Sequence, residues 1–453
     1  MKWPTTAVAA LILNGMLGIH TPAQTGLEPQ IDDLPRHGVI GLTLGPADSK
    51  APENPKTNPP TVLSVAAGSA GEAAGIERGD AVSEVDAFPV DASSDFVRLI
   101  GRHLAGDQVR IGLVRADQRI TKTATLKPRP FEVSGDASVL YRSVQVEGAR
   151  RRVIVTRPKA PGHYPAVLLM GGLGCYSLDG ELTRDTGYGP ILRALLKHGF
   201  VTMRVEKTGE GDSEGPACTD ARATAELEAE GYVAGLRALK AYDFVGPDKV
   251  FIFAHSLGPL IASLVLPKES VRGVVAAETI GRSWFEYGLE NVRRQSALVG
   301  EPLDQVDADV RAHEKCAHDF YVLHQSVDEI VKQGEQCAEM IRSYAGVPGP
   351  YMQQIGDLNL AKQWKQIDVP VLVIYGTSDP ATSVDEGRYL VEIINTFHPG
   401  RASYVELPGM GHDFALYSSQ AVFLRRRQDS KLHPFDDDIL AVIIKWIDEQ
   451  LRA

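Results

Sequence analysis

Residues 250–263, Val-Phe-Ile-Phe-Ala-His-Ser-Leu-Gly-Pro-Leu-Ile-Ala-Ser, constrain the fold of this chain more than any other stretch. An apolar run with strand character ends in a small-His-Ser-x-Gly turn and passes directly into a helix-forming segment. A serine on so tight a turn must hold a strained backbone angle, so the residues two before and two after it have to be small. Ala254 and Gly258 meet that demand. The turn lifts the Ser256 oxygen above a sheet edge and sets it at a helix N-terminus, where the Leu257 N–H can face a developing negative charge. The plain alternative is an ordinary strand-to-helix turn that contains a serine, and only the rest of the chain can decide between them.

That context follows in order. Residues 369–380 read as a buried strand ending in Gly-x-x-Asp, which carries Asp379 to the edge where Ser256 would sit. Residues 402–414 read as another strand, followed by a glycine-flanked histidine, His412. Each signal is weak alone, since Gly-x-x-Asp is often a turn and a lone histidine is more often a surface or capping residue. Together, Ser256, Asp379 and His412 stand in the chain order of the α/β-hydrolases, which differs from the orders in the chymotrypsin and subtilisin folds. The chain therefore resembles that family, and the resemblance implies a Ser-His-Asp catalytic triad. Glu278, at the end of the preceding strand, stands where some members relocate the acid.

The resemblance extends to two loops. Residues 164–175 read as an inner strand running into Met170, Gly171, Gly172, Leu173, Gly174 and Cys175, where the family places its oxyanion loop and often a histidine at the Met170 position. A backbone N–H of Gly172 or Leu173 is expected to join that of Leu257, and the glycines let this backbone approach a substrate closely. Residues 199–215 are similar to the family's Asp-x-x-Gly-x-Gly-x-Ser segment, with Glu206 in place of the aspartate; its implied role is to brace the elbow and the oxyanion loop. The acidic loop lacks the Lys-Ser/Thr helix start that a phosphate-binding loop requires.

At 453 residues the chain has room for roughly two to three domains. A net charge of −11 argues against nucleic acid and anionic membrane surfaces as partners. Lys2, the short apolar stretch 7–19 and the small residues Thr21-Pro22-Ala23 have the form of an export signal cleaved after Ala23, giving a periplasmic or secreted protein. That run is too short to span a bilayer as a permanent helix, and no other apolar segment is longer, so no stable membrane span is expected. The family's sheet order would bring the loops ending in Cys175 and Cys218 to adjacent strand edges. The pairing this implies is Cys175–Cys218, with Cys316–Cys337 within the insertion described below, out of the three connectivities that four cysteines allow.

A separate module precedes the catalytic region. Residues 36–128 hold a Gly-Val-Ile-Gly-Leu stretch, a Gly-Ser-Ala-Gly helix start, an Ala-Gly-Ile-x-x-Gly-Asp segment and a closing hairpin after Ala105-Gly106-Asp107. This resembles the PDZ domains of bacterial exported proteases. The resemblance implies capture of an extended peptide or a protein C-terminus, with Gly38, Val39, Ile40, Gly41 and Leu42 as the carboxylate-binding loop and a helix over 94–103 opposite. The competing reading is a packing module that steadies the hydrolase, because fold alone does not fix function. Residues 129–136, with Pro130, are the expected linker.

The catalytic region, 137–453, is expected to be a doubly wound, mostly parallel α/β sheet that opens with a hairpin over 139–146 and 151–157. About ninety residues separate the strand at 271–277 from the one at 371, far more than a crossover needs, so 283–357 reads as an inserted helical cap. Trp284, Phe285, Tyr287, Phe320, Tyr321, Tyr344 and Tyr351 could line a pocket there, although aromatics at such spacings are more often packing. No His-x-x-x-His or clustered Cys/His spacing appears, so neither a metal nor an organic cofactor is expected. The resemblance implies hydrolysis of small-molecule carboxylic esters. The alternatives are a peptidase resembling the prolyl oligopeptidases and a non-catalytic peptide-binding protein.

Overall fold

The computed structural model describes residues 30–32, 34–45, 59–426 and 433–453; the expected leader, 1–23, lies outside them. The described chain divides into two compact units, one holding 34–131 and the other 30–32 with 132–453. The boundary falls inside the stretch expected as a linker. Glu132 nevertheless belongs to the larger unit, where it is buried and paired with the Arg204 guanidinium at 2.5 Å.

The larger unit is built on strands β1 (Ala137–Val146), β2 (Ala149–Pro158), β3 (Tyr164–Met170), β4 (Val201–Val205), β5 (Val245–His255), β6 (Gly273–Ala277), β7 (Val371–Gly376) and β8 (Ala402–Leu407). Their spatial order is β1-β2-β4-β3-β5-β6-β7-β8, with the short strand Gln30–Ile31 beside β1. β1 and β2 form an antiparallel hairpin, β2 meets β4 antiparallel, and every later pairing is parallel. Residues 250–254 of β5 are completely buried, which explains their continuous apolar run: both faces of a parallel sheet are covered by helices. The order reverses between β3 and β5. Loops leaving the two strands diverge there, and such a switch point opens a crevice at the carboxyl ends of the strands.

Helices Gly189–Lys197, Ala225–Lys240, Gly258–Val265 and Val384–Phe397 make the crossovers, and Asp438–Arg452 closes the chain. Between β6 and β7 the insertion folds as a series of helices, beginning with Trp284–Leu298 and Leu303–Ala317 and including Glu335–Arg342 and Gly349–Gly356. Ser283 and Glu286 cap the first of these reciprocally, which fixes where the cap starts. A disulfide joins Cys316 to Cys337 across it. Tyr287, Phe320, Tyr321, Tyr344 and Tyr351 are buried in the main core, so these five act as packing, while Trp284 and Phe285 are only partly buried. Among the described residues no helix is long and apolar enough to cross a membrane.

The smaller unit is a β-rich fold with strand order Leu42–Gly45, Thr61–Val65, Ala81–Val85, Gln108–Arg115 and Gln118–Thr125. Val62, Val82, Val109, Ile111 and Leu113 fill its core together with Phe96 and Leu99 from helix Ser93–Ile100. Asp80 of the Gly-Asp motif is buried and held by Arg115 at 2.7 Å and by the Glu77 N–H at 2.9 Å, so that motif closes the fold. Among the described residues Leu42–Gly45 pairs on one side only, at the end of the sheet order.

Candidate active site

β5 ends at His255, and Ser256 follows with φ +59°, a left-handed backbone that a side-chain-bearing residue adopts at a cost of order 1–3 kcal/mol. The turn is held from both sides: the Ser256 N–H donates to Ala277 O at 2.9 Å, and Thr279 Oγ1 donates to Ser256 O at 2.8 Å. A Cβ at Gly258 would stand 2.8 Å from Met170 O, so a larger residue there would force β3 away from the elbow.

Two loops bring the partners to this serine. His412 Nε2 lies 3.0 Å from Ser256 Oγ, and its Nδ1 lies 2.9 Å from Asp379 Oδ2. A carboxylate only accepts, so Nδ1 carries the hydrogen, and in the neutral form of the ring Nε2 can receive the serine proton. Asp379 is fully buried, with Oδ1 accepting the Ala381 N–H and Oδ2 the Thr382 hydroxyl, each at 2.6 Å. Burial alone would push its carboxyl up. The charge of His412 and hydrogen bonds with His412, Glu278 and Thr382 outweigh that and hold it below the usual carboxylate range. The first cap helix grips the same loop: Arg294 donates to Pro380 O at 2.6 Å and Tyr287 to Ala381 O at 2.8 Å.

Glu278, the rival acid, is also fully buried, with φ +50° and one oxygen accepting the Gly376 N–H at 2.7 Å. Its carboxyl lies within 4.8 Å of the reactive atoms of both Asp379 and His412. Burial, and then the negative charge of Asp379, push it well above the usual range, which favours its neutral form and leaves the charge to Asp379. A carboxyl whose folded pKa is raised contributes fully to stability below the ordinary glutamate range, and that contribution is lost as pH rises toward the folded value. Glu278→Gln mimics the neutral acid, so its melting temperature should gain on that of the wild type as pH rises from about 4 to about 8. A difference constant across that range would mean that Glu278 carries no extra proton.

The glycine-rich loop after β3 presses on the elbow from the other side. A Cβ at Gly172 would stand 3.0 Å from the Ser256 Cβ, so only glycine allows this approach without displacement. The Gly172 N–H donates to the Tyr188 hydroxyl at 3.2 Å and is thereby occupied. Among the described residues, neither the Leu173 nor the Leu257 N–H has a protein acceptor. Of the two expectations for this loop, the geometry leaves Leu173 free.

Sequence reasoning passed over the struts behind these groups. His255 is buried; burial, and then the charge of His412, hold its imidazole well below the usual histidine range, so it stays neutral. Its Nε2 must donate to His412 O at 3.0 Å, since a carbonyl only accepts. Its Nδ1 then accepts from the Tyr188 hydroxyl at 2.9 Å, while that hydroxyl accepts the Gly172 N–H. One directed chain thus ties the Gly172 loop, the elbow and the His412 loop together. No local pattern carried a signal for it; the His-Ser dipeptide itself was the only visible trace.

The Cys175–Cys218 disulfide joins the end of the Gly172 loop to the loop that follows β4 and closes a 43-residue separation. A bridge over such a loop stabilises by about 3–4 kcal/mol on a chain-entropy account. Slackening the Gly172 loop by about 1 Å can cost on the order of a hundredfold in rate. Cys218→Ser should therefore lower the melting temperature and kcat together; a lower melting temperature with unchanged kcat would show that the bridge does not hold the loop's geometry.

In the smaller unit the expected carboxylate loop is partly ordered into strand. Gly38–Val39 pairs with Lys127–Pro128, and the Gly38 N–H donates to His103 O at 2.9 Å. The Ile40 and Gly41 carbonyls accept from Gly71 and Ala66 at 2.8 and 2.9 Å, and Leu42 opens the edge strand.

A doubly wound sheet with a strained serine elbow at its switch point defines a class before any relative is considered. A family model described as the alpha/beta hydrolase family matches residues 167–426, and the chain belongs to that family. A PDZ domain model matches residues 38–126. Esterase EstD of Thermotoga maritima is 22% identical over 246 residues, and the match spans 53% of this chain and 52% of that protein, about half the length of each. Among solved structures, Est1E from Butyrivibrio proteoclasticus with bound ferulic acid is 15% identical, with 69% of this chain and 100% of that one covered and a TM-score of 0.44. A proline iminopeptidase from Mycobacterium smegmatis is 17% identical, with 68% and 98% covered and a TM-score of 0.42.

Proposed function

We propose that this chain is an exported serine hydrolase that cleaves carboxylic esters through an acyl-enzyme, with Ser256 as nucleophile, His412 as general base and Asp379 as its orienting acid. The observation that carries the reading is the file Ser256 Oγ, His412, Asp379, joined at 3.0 and 2.9 Å on a left-handed elbow. His412 Nε2 takes the Ser256 proton as Oγ bonds to the ester carbonyl carbon, and the carbonyl electron pair becomes an oxyanion facing the Leu257 and Leu173 N–H groups. The oxyanion collapses, the C–O bond to the alcohol breaks, and His412 gives the proton to the departing oxygen. Water repeats the sequence on the acyl-enzyme and releases the acid. Asp379 holds the tautomer and stabilises the imidazolium that forms twice in each cycle.

The two disulfides support an oxidising compartment, periplasmic or extracellular. In the PDZ unit, Leu42–Gly45, at the sheet edge among the described residues, is the backbone an added peptide strand would use, and helix Ser93–Ile100 shares its core through Phe96 and Leu99.

A panel of p-nitrophenyl esters and aminoacyl anilides, run on the wild type and on triad variants, tests the assignment. Ester turnover is expected, abolished in Ser256→Ala and lowered roughly 10⁴-fold in Asp379→Asn, because the ring is no longer held in the productive tautomer. Full turnover in Ser256→Ala would overturn the mechanism. Anilides cleaved faster than esters would move the substrate class to peptides.

A further inference from the structure

Lys207, in the loop after β4, is a buried lysine that the mechanism above does not use. Its ammonium donates to Gly172 O at 2.9 Å and stands farther, at 3.4 Å, from the Glu228 carboxylate. A second buried-side donor, the Tyr176 hydroxyl, reaches the same carbonyl at 3.2 Å, and Lys207 Nζ lies 5.2 Å from the centre of that tyrosine ring. Two donors, one of them charged, thus converge on one backbone oxygen beside the elbow.

That oxygen belongs to the peptide whose N–H is Leu173. The bond is trans, as are all peptide bonds among the described residues, so its C=O and N–H point in opposite directions. Anchoring the carbonyl from below therefore aims the Leu173 N–H away from Lys207. A positive charge on the oxygen also draws electron density through the conjugated amide and makes the N–H a stronger donor, the polarisation that couples successive hydrogen bonds in a low-dielectric interior. Packing alone would not call for an ammonium here, because burying one is costly unless its charge is used or paired. Glu228 offsets that charge, and its other oxygen is taken by the Tyr351 hydroxyl at 2.9 Å.

We propose that Lys207 is a positioning residue of the oxyanion hole, acting through the Gly172 carbonyl to aim and polarise the Leu173 N–H. The inference rests on the serine-hydrolase reading above. Because full negative charge appears on the substrate oxygen only after Ser256 has attacked, a stronger donor favours the transition state over the bound ester, and its effect falls on kcat rather than KM.

Lys207→Met keeps the length of the side chain and removes the charge. Its kcat for a p-nitrophenyl ester should fall about tenfold to a hundredfold, below the 10²–10³ lost when an oxyanion donor is deleted outright, with KM little changed. Affinity for a trifluoromethyl ketone should fall by the same factor as kcat/KM, since Ser256 Oγ adds to its carbonyl, the proton passes to His412, and an oxyanion forms in the same place. The variant also strands the Glu228 carboxylate, so Lys207→Met/Glu228→Gln serves as the second arm: it should recover melting temperature without recovering kcat. Recovery of kcat in the double variant, a rise in KM at constant kcat, or unchanged ketone affinity would each overturn the proposal. Full turnover in Ser256→Ala would instead remove the parent reading, so the two failures are distinguishable.

Discussion

The close approach of the Gly172 loop to Ser256 is the constraint on which the site depends. A serine at φ +59° is not self-supporting. It persists because β3 and β5 lie side by side at the reversal of strand order, so backbone from one strand packs on the elbow of the other. Gly258 against Met170 O and Gly172 against the Ser256 Cβ are two contacts that a side chain would crowd. Everything reactive then follows from position: the helix after the elbow offers the Leu257 N–H, the loop after β3 offers that of Leu173, and the edges of β7 and β8 deliver Asp379 and His412.

Around this point the protein separates charged from neutral groups that would otherwise titrate together. Asp379 and Glu278 are both buried carboxyls in contact range, yet hydrogen bonds and the His412 ring hold one low while burial and its neighbour push the other high. Two histidine rings sit 4.8 Å apart, and His255 is held neutral while its Nε2–H fixes the backbone of His412. Pairs pushed apart in this way mark which group carries charge and which only donates a hydrogen bond. Lys207 adds a buried positive charge next to the Gly172 loop.

Much of this was legible in the chain because it is local. The elbow needs only a strand, a small-x-Ser-x-Gly turn and a helix; Asp379 and His412 each follow a strand with glycine beside them; the cap shows as a stretch too long for a crossover. The struts were not legible, because they join residues far apart: Lys207 and Gly172 are separated by 35 positions, Tyr188 and His255 by 67, and His255 and His412 by 157. No helical or strand period reports such a pair. The choice between Gly172 and Leu173 was open for the same reason, since it turns on a tyrosine hydroxyl from the next helix region. Glu278 was visible as a rival acid from its place at a strand end, but its neutral state depends on burial beside Asp379, which composition does not reveal. In the smaller unit the glycine-rich stretch at 38–42 read as a carboxylate-binding loop, while part of it is committed to pairing with Lys127–Pro128 and to His103 O.

The most direct test of the account is where a serine-directed electrophile attaches. After incubation with a fluorophosphonate, intact mass followed by peptide mapping should find a single adduct, on the peptide that contains Ser256, and almost none on protein carrying His412→Ala. An adduct on any other residue, or equal modification of Ser256 with and without His412, would contradict a nucleophile activated by that histidine.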